Sequence, residues 1–139
     1  MKIISHSRLH KIWLAAKNGE PLDGEEAVLA QAMREHPEYT DIWDELDTLS
    51  DGEIIRDGVN TLLHISMHSV VENQLAQNTL PEVPKAMNSM LARGASRHEA
   101  IHAIAYEFSM ELAKTLQTKR PFNEIAYKRR LEKIARGKK

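Results

Sequence analysis

The sequence predicts an all-α protein, a single-domain antiparallel helical bundle of about six to seven helices. Apolar residues recur at three- and four-residue spacing along almost the whole chain, and no segment alternates strictly between polar and apolar residues. Prolines and glycines fall between these periodic segments and mark short connections, which favour antiparallel neighbours. The length of 139 residues fits one domain, 1–139, with a basic tail from about residue 128 to 139.

The first three predicted helices occupy the first third of the chain. The first spans Ser7–Lys17 and carries one apolar face. The second begins at Asp23, where Glu26 completes a capping box, and it ends at His36 because a proline follows. The third spans Thr40–Leu49, with its apolar residues again at helical spacing.

Four further helices are predicted in the remainder of the chain. The fourth runs from about Asn60 to Gln77, and the fifth has Pro84 in its first turn and ends at Gly94. The sixth is capped by Ser96 and runs to about Lys119, and the last follows Pro121. The residues expected to face inward on the sixth helix are Ile101, Ile104, Ala105, Phe108, Leu112 and Leu116.

Composition excludes several kinds of site. The chain has no cysteine, so disulfides, thiolate nucleophiles and cysteine-bound metals are ruled out, and any metal must use histidine and carboxylate ligands. The segment Met1–His6 turns polar too early for a signal peptide, and no apolar run is long enough to span a membrane. We therefore expect a cytoplasmic protein that does not enter the membrane.

Charge is unevenly distributed although the net charge is −1. Acidic residues dominate from Lys17 to Glu53, and basic residues dominate the tail. A basic tail can contact nucleic acid, but this one lacks the aromatic side chains on which bases stack. The pattern therefore favours solvated helix faces and a frayed end over nucleic-acid binding, and it leaves a protein partner or a homo-oligomer as an open alternative.

Six of the seven histidines form pairs spaced by four residues. The pairs are His6/His10, His64/His68 and His98/His102. Residues at this spacing share one helix face with Cβ atoms about 5–6 Å apart, which is close enough for both imidazoles to bind one ion. The start of the first helix is poorly defined by the sequence, so the first pair is the weakest candidate.

The other two pairs border the apolar stripes of the fourth and sixth helices. Glu72 extends the first of them by one more turn, giving His64, His68 and Glu72 on one face. If the two helices pack together, these residues converge with His98 and His102 on one metal site. Zinc, iron, nickel or manganese would accept that set of ligands. The alternative is that the histidines bond carbonyl or carboxylate groups and fix helix packing without an ion.

The second of these pairs also matches a catalytic signature. His98-Glu99-Ala100-Ile101-His102 reads H-E-x-x-H, in which zinc metalloproteases use the histidines as ligands and the glutamate as general base. Ser96 lies three residues before Glu99, so the same residues form a capping box, and no strand is predicted that could align a peptide substrate. The sequence therefore favours a metal-binding helical domain of undefined activity or a non-enzymatic interaction module with structural histidines over a metal-dependent hydrolase.

Four sequence blocks resemble a known family. They are His36-Pro37-Glu38-Tyr39, the stretch from Leu63 to His68 continued by Glu72-Asn73-Gln74-Leu75, the stretch from Arg97 to Ile104, and Tyr127 with Leu131. The blocks resemble the bacterial family catalogued as domain of unknown function 1841, over roughly residues 9–134. The resemblance implies a small bacterial protein without an assigned activity. It also implies that His64, His68, Glu72, His98 and His102 belong to one constellation, while His6 and His10 lie outside its motifs.

Overall fold

The computed structural model describes residues 5–137 of the chain. Over these residues the protein is all-helical apart from one short hairpin. In chain order the elements are α1 (His6–Lys17), α2 (Gly24–Arg34), a 3₁₀ turn (Pro37–Tyr39), α3 (Thr40–Asp44), β1 (Ile55–Arg56), β2 (Val59–Asn60), α4 (Thr61–Gln77), α5 (Glu82–Ala92), α6 (Arg97–Thr118) and α7 (Glu124–Ala135). Among the described helices, none combines the length and apolarity needed to cross a bilayer.

The chain folds as two compact units, one up to Ser69 and one from Val70 onward, with the division inside α4. In the first unit α1, α2, α3 and the first half of α4 surround a core built from Leu9, Ile12, Trp13, Leu29, Ala30, Ala32, Met33, Ile42, Trp43, Leu46, Ile54, Leu62 and Ile65. In the second unit α5, α6 and α7 pack against one another in pairs. The arrangement as a single domain over 1–139 stays a prediction.

Two expectations about the first unit were wrong. The Asp23–Glu26 capping box is absent, since the Asp23 side chain makes no capping hydrogen bond. Gly24 follows with φ +56°, and this left-handed turn carries the Asp23 carboxylate away from the helix amides. The helix expected over Thr40–Leu49 ends at Asp44, and the chain continues as turns that still bury Leu46.

The hairpin was not expected from the sequence. β1 and β2 pair antiparallel, with Ile55 opposite Asn60 and Arg56 opposite Val59. Asp57 and Gly58 connect them with φ values of +53° and +78°. Positive φ at both central residues is typical of the two-residue turns that match strand twist, and Asp-Gly is a preferred sequence for them.

The second unit agrees with the expected bounds of α6 and corrects the expected burial of one residue near its end. The predicted capping box is present, because the Ser96 side chain accepts from the Glu99 amide and Glu99 accepts from the Ser96 amide. Leu116, expected to face inward, is 73% exposed. It lies at the edge of the apolar stripe in the last turn of the helix, where burial has already ended.

The basic tail is mostly helix α7, and part of its charge is paired. Lys128 pairs with Glu124, and Arg136 pairs with Glu132, each one helical turn away. Arg130 donates to the buried carboxylate of Glu111. Lys138 and Lys139, and Met1 to Ile4 at the other end, lie outside the described residues.

The Asp44 carboxylate joins α1 to α3, and its hydrogen bonds predict that the stability of the protein depends on pH. Its Oδ1 accepts from the Trp13 indole at 2.7 Å and from the Lys17 ammonium at 2.9 Å. The indole bond, followed by Lys17, holds the pKa of Asp44 below its ordinary value of 3.8. The stabilisation is therefore fully present above that value and is lost as the pH falls through the folded-state pKa.

We expect Asp44→Asn to lower the free energy of unfolding at pH 7 by about 0.5–1 kcal/mol, a value reduced by the partial exposure of this group. The difference from wild type should shrink as the pH falls below 3.8. Urea unfolding monitored by tryptophan fluorescence across pH 2–7 measures it. Asp23→Asn, at a side chain without a capping bond, is the matched control. An unchanged difference at low pH would contradict the role assigned to this carboxylate.

Candidate metal centre

His36 is placed by the way α2 ends. Pro37 disfavours the helical conformation of the residue before it, and His36 leaves the helix with φ −121° and ψ 64°. Its amide then donates to the Met33 carbonyl at 3.1 Å instead of the Ala32 carbonyl one residue earlier. The Ala32 carbonyl is one of the acceptors that a helix end leaves open, and the His36 ring satisfies it with Nδ1 at 2.7 Å.

This bond fixes the tautomer of His36. A carbonyl oxygen can only accept, so the Nδ1 of His36 carries the proton. In the neutral ring Nε2 then bears a lone pair, and this nitrogen is the atom that can bind a metal. Metal-bound histidines commonly donate their other ring nitrogen to a carbonyl or carboxylate in this way, and that bond orients the ring.

His64 and His68 follow each other by one turn of α4. The hairpin leads directly into this helix, and the Asn60 side chain accepts from the Leu63 amide at 3.0 Å at the helix start. Thr61 anchors the first turn by donating to the Ile54 carbonyl at 2.6 Å. These contacts set where α4 begins, and helix geometry then places both rings on the side that His36 occupies.

The three imidazoles form a nearly equilateral triangle. Ring centroids are 4.8 Å apart for His36 and His64, 4.7 Å for His36 and His68, and 4.8 Å for His64 and His68. The His36 ring is perpendicular to the other two, at 90° and 89°. The Nε2 atoms of His36 and His64 are 3.0 Å apart, and the potential ligand nitrogens of all three lie within 4.8 Å of one another.

The distance between the Nε2 atoms of His36 and His64 is close to that in a metal site. With zinc–nitrogen bonds of about 2.0–2.1 Å, two ligands of a tetrahedral ion lie about 3.3 Å apart. A small relaxation would bring these two nitrogens to that spacing, and the His68 nitrogen starts within 4.8 Å of both. The same contact can instead be a hydrogen bond in which the Nε2 of His64 carries a proton and donates it to His36. The geometry thus supports a three-nitrogen metal site and leaves one non-metal alternative.

Two of the three imidazoles are buried, and the third, His64, is partly buried. His36 and His68 are 1% and 3% exposed. The His36 ring is parallel to Tyr39, whose ring meets Trp43 edge-on, and the Trp43 indole donates to the Met33 carbonyl at 3.1 Å. The aromatic residues therefore support the His36 ring from behind and limit its rotation, which preserves the direction of its lone pair.

Glu72, one turn beyond His68, has another partner. Its two carboxylate oxygens accept from the two terminal nitrogens of Arg97, both at 2.6 Å. A bidentate pair of this kind is among the stronger charged interactions, and Glu72 is half-buried. To bind a metal Glu72 would have to leave Arg97, so the structure gives it a defined role in the second unit. Its role as a ligand stays a prediction.

His98 and His102 face one another on the first turns of α6. Their ring centroids are 4.2 Å apart, as expected for residues four apart on a helix. Glu99 between them is committed to the capping box, and the bonds to Ser96 lower the pKa of its carboxyl group. That role argues against a general base at this position. The contribution of His98 and His102 to a metal site stays a prediction.

His6 and His10 are used for packing. The Nδ1 of His6 lies 3.0 Å from the Leu49 carbonyl and its Nε2 lies 3.0 Å from the Asp51 carboxylate. Both nitrogens thus face oxygens that only accept. The Nε2 of His10 lies 3.2 Å from the Asp44 carbonyl at the end of α3. This pair ties α1 to the segment that follows α3.

Sequence reasoning missed His36 as a site residue. It is the one histidine outside the four-residue pairs, and spacing along one helix cannot reveal a ligand that another element supplies. A signal was nevertheless present. A histidine that directly precedes a proline at a helix end is positioned to satisfy an open carbonyl with its own ring. It also stood in the first of the blocks that resemble a family.

A comparison with protein families matched residues 5–133 to Domain of unknown function (DUF1841). The chain belongs to this family. The match covers nearly the whole chain and includes every histidine discussed above, and it confirms the resemblance seen in the sequence. Comparisons with curated proteins and with solved structures gave no match.

The hydrogen bond between the His36 ring and the Ala32 carbonyl predicts the tautomer of His36 in the metal-free protein. Long-range ¹H–¹⁵N correlation spectra should show His36 protonated at Nδ1 and unprotonated at Nε2. The same ring in urea-unfolded protein, where the Ala32 carbonyl is no longer held beside it, is the reference. A proton on Nε2 of His36 in the folded protein would remove the basis for the metal site.

Proposed function

We propose that this protein binds one divalent transition-metal ion through His36, His64 and His68. The observation that carries the proposal is the lone pair of His36, which the bond to the Ala32 carbonyl directs toward the imidazoles of α4. A neutral imidazole with its second nitrogen bonded to a carbonyl is the form in which histidine binds metals. The Nε2 atoms of His36 and His64 also need little rearrangement to reach ligand spacing.

The chemistry of the ligands narrows the choice of metal. Three imidazole nitrogens suit zinc, iron and nickel, whereas calcium, magnesium and manganese favour carboxylate and carbonyl oxygens. Glu72 is engaged by Arg97, which weakens the case for a carboxylate in the set. Zinc, iron and nickel are therefore better candidates than manganese.

The number of protein ligands separates a structural from a catalytic ion. A tetrahedral ion held by three histidines keeps a fourth position for water or a substrate, while four protein ligands close the site. His98 and His102 are the histidines that the sequence prediction offers as further ligands. The involvement of one of them would favour a structural ion, and the absence of both would leave a position at which a metal-bound water could react.

The alternative function is an interaction module in which the histidines only pack. The 3.0 Å contact between the Nε2 atoms of His36 and His64 favours it, because one shared proton satisfies both nitrogens. In that case the cluster fixes the end of α2 against α4 without an ion. Protein purified without a histidine tag would then contain no stoichiometric metal and would not take up any.

Substitution of the triangle tests the proposal directly. We expect His36→Asn, His64→Ala and His68→Ala each to weaken zinc binding at least 100-fold, because each removes one of three ligands. The His36→Asn side-chain amide can still donate to the Ala32 carbonyl, so this variant removes the ligand and keeps the bond that supports it. Elemental analysis and competition with a chromophoric chelator measure the effect.

His6→Gln is the matched control, since it alters a histidine outside the triangle. His98→Ala, His102→Ala and Glu72→Gln test the three further ligands that the sequence predicts. Wild-type affinity in all three triangle variants, or no zinc uptake by wild-type protein, would overturn the proposal and leave the packing role.

Metal binding should also stabilise the protein. At a free zinc concentration 100 times the dissociation constant, the linkage relation gives about 2.7 kcal/mol of added stability. We expect EDTA to lower the melting temperature of zinc-loaded wild type and to leave His36→Asn unchanged. Apparent affinity should fall as the pH falls, because protons compete for the imidazole nitrogens. Scanning calorimetry with and without EDTA would contradict the proposal if wild type and His36→Asn responded alike.

A further inference from the structure

The second unit contains a cavity that the metal centre does not use. It has a volume of about 450 Å³ and is bounded by all three of α5, α6 and α7. Small-molecule sites usually fall between about 300 and 1,000 Å³ and combine an apolar lining with a few placed polar groups. Met90, Ala103 and Ile134 form the apolar part of this lining, one from each helix.

Arg93 supplies the polar group, and its guanidinium is held in place. One terminal nitrogen donates to the Ile134 carbonyl at 2.7 Å, and the other donates to the Ser89 hydroxyl at 2.7 Å. Ser89 in turn donates to the Ala135 carbonyl at 2.8 Å. Arg93 and Ser89 thus satisfy carbonyls at the C-terminal end of α7, where a helix leaves acceptors open. The guanidinium is thereby oriented before any ligand arrives, which reduces the entropy lost on binding.

The positive charge of Arg93 has no carboxylate partner among residues 5–137. Its two bonds go to neutral oxygens and use two of the five N–H groups of a guanidinium. Glu107, the acidic residue of the lining, is balanced by Arg130 at 3.2 Å. The wall of the cavity therefore presents one uncompensated positive charge beside an apolar surface.

A glycine leaves space beside the Arg93 guanidinium. Gly137 adopts φ +79°, and a Cβ atom placed there would lie 3.1 Å from a terminal nitrogen of Arg93. A side chain at this position would crowd the guanidinium. Tyr106 also lines the cavity while its side chain is largely open to solvent, so a ligand has a route in past an aromatic ring.

We propose that this cavity binds a small organic monocarboxylate with an apolar body. The carboxylate would pair with the free N–H groups of Arg93, and the body would contact Met90, Ala103 and Ile134. A planar guanidinium matches a carboxylate through two parallel hydrogen bonds. One uncompensated charge also suits a singly charged head group better than a doubly charged phosphate.

Hexanoate is the probe that tests this proposal on the full chain. We expect saturable binding by isothermal titration calorimetry or by chemical-shift changes at residues of the lining. Hexanamide has the same body without the charge, and acetate has the charge without the body. Each should bind about tenfold or more weakly than hexanoate, since each lacks one of the two contacts.

Two substitutions locate the binding. Arg93→Gln should reduce hexanoate affinity to that of hexanamide, and Ala103→Leu should reduce it at least tenfold by filling the cavity. Arg129→Gln is the matched control, because it removes the charge of an exposed arginine on α7 that does not line the cavity, so its affinity should stay within about twofold of wild type. Circular dichroism checks the fold of each variant, and Ala103→Leu decides the matter if Arg93→Gln does not fold.

Equal affinity for hexanoate and hexanamide would overturn the proposal, as would hexanoate binding that Ala103→Leu leaves unchanged. The cavity lies in the unit that begins at Val70, and its test does not depend on the metal centre. His36→Asn should bind hexanoate as wild type does.

Discussion

The hydrogen bond from the His36 ring to the Ala32 carbonyl is the constraint on which the candidate metal centre depends. It arises because Pro37 ends α2, the His36 amide turns to Met33, and one carbonyl is left for the side chain to satisfy. The bond selects a tautomer, and the tautomer directs a lone pair toward α4. The position of the helix end thus determines the chemistry of the ring.

Hydrogen bonding also distinguishes His6 from His36. The ring nitrogens of His6 meet acceptors on both sides, which commits that ring to packing. His36 has an acceptor on one side and another imidazole on the other. The partner of the second ring nitrogen thus distinguishes a structural histidine from a potential ligand.

Much of the helical architecture could be predicted, because apolar residues at three- and four-residue spacing indicate the buried face of a helix. The capping box of α6 was predicted correctly because Ser96 and Glu99 interact within one turn. The prediction of a cap at Asp23 was wrong because Gly24 takes a left-handed conformation that residue types alone do not require. The hairpin was missed because strands of two residues are too short to show alternation, although Asp57-Gly58 is a turn signal.

The candidate site was predicted only in part, because spacing along the chain relates residues of one helix but not residues of different elements. His64 and His68 were found because helix geometry gives a fixed spacing to ligands on one element. His36 comes from a separate element, and no spacing along the chain encodes its approach. Glu72 fits the spacing equally well, but Arg97 binds both of its oxygens. Competition between partners for a carboxylate cannot be judged from position alone.

The hairpin before α4 has a consequence for how the chain can change in length. Each residue advances a helix by about 1.5 Å and turns it by about 100°. The hairpin joins α4 without an intervening loop, and Asn60 and Thr61 hold the first turn. An insertion or deletion between Val59 and Thr61 therefore has no loop to absorb it, and it would rotate the imidazoles of α4 away from His36. This junction therefore fixes the rotation of α4 about its own axis. We expect related chains to differ in length at other positions.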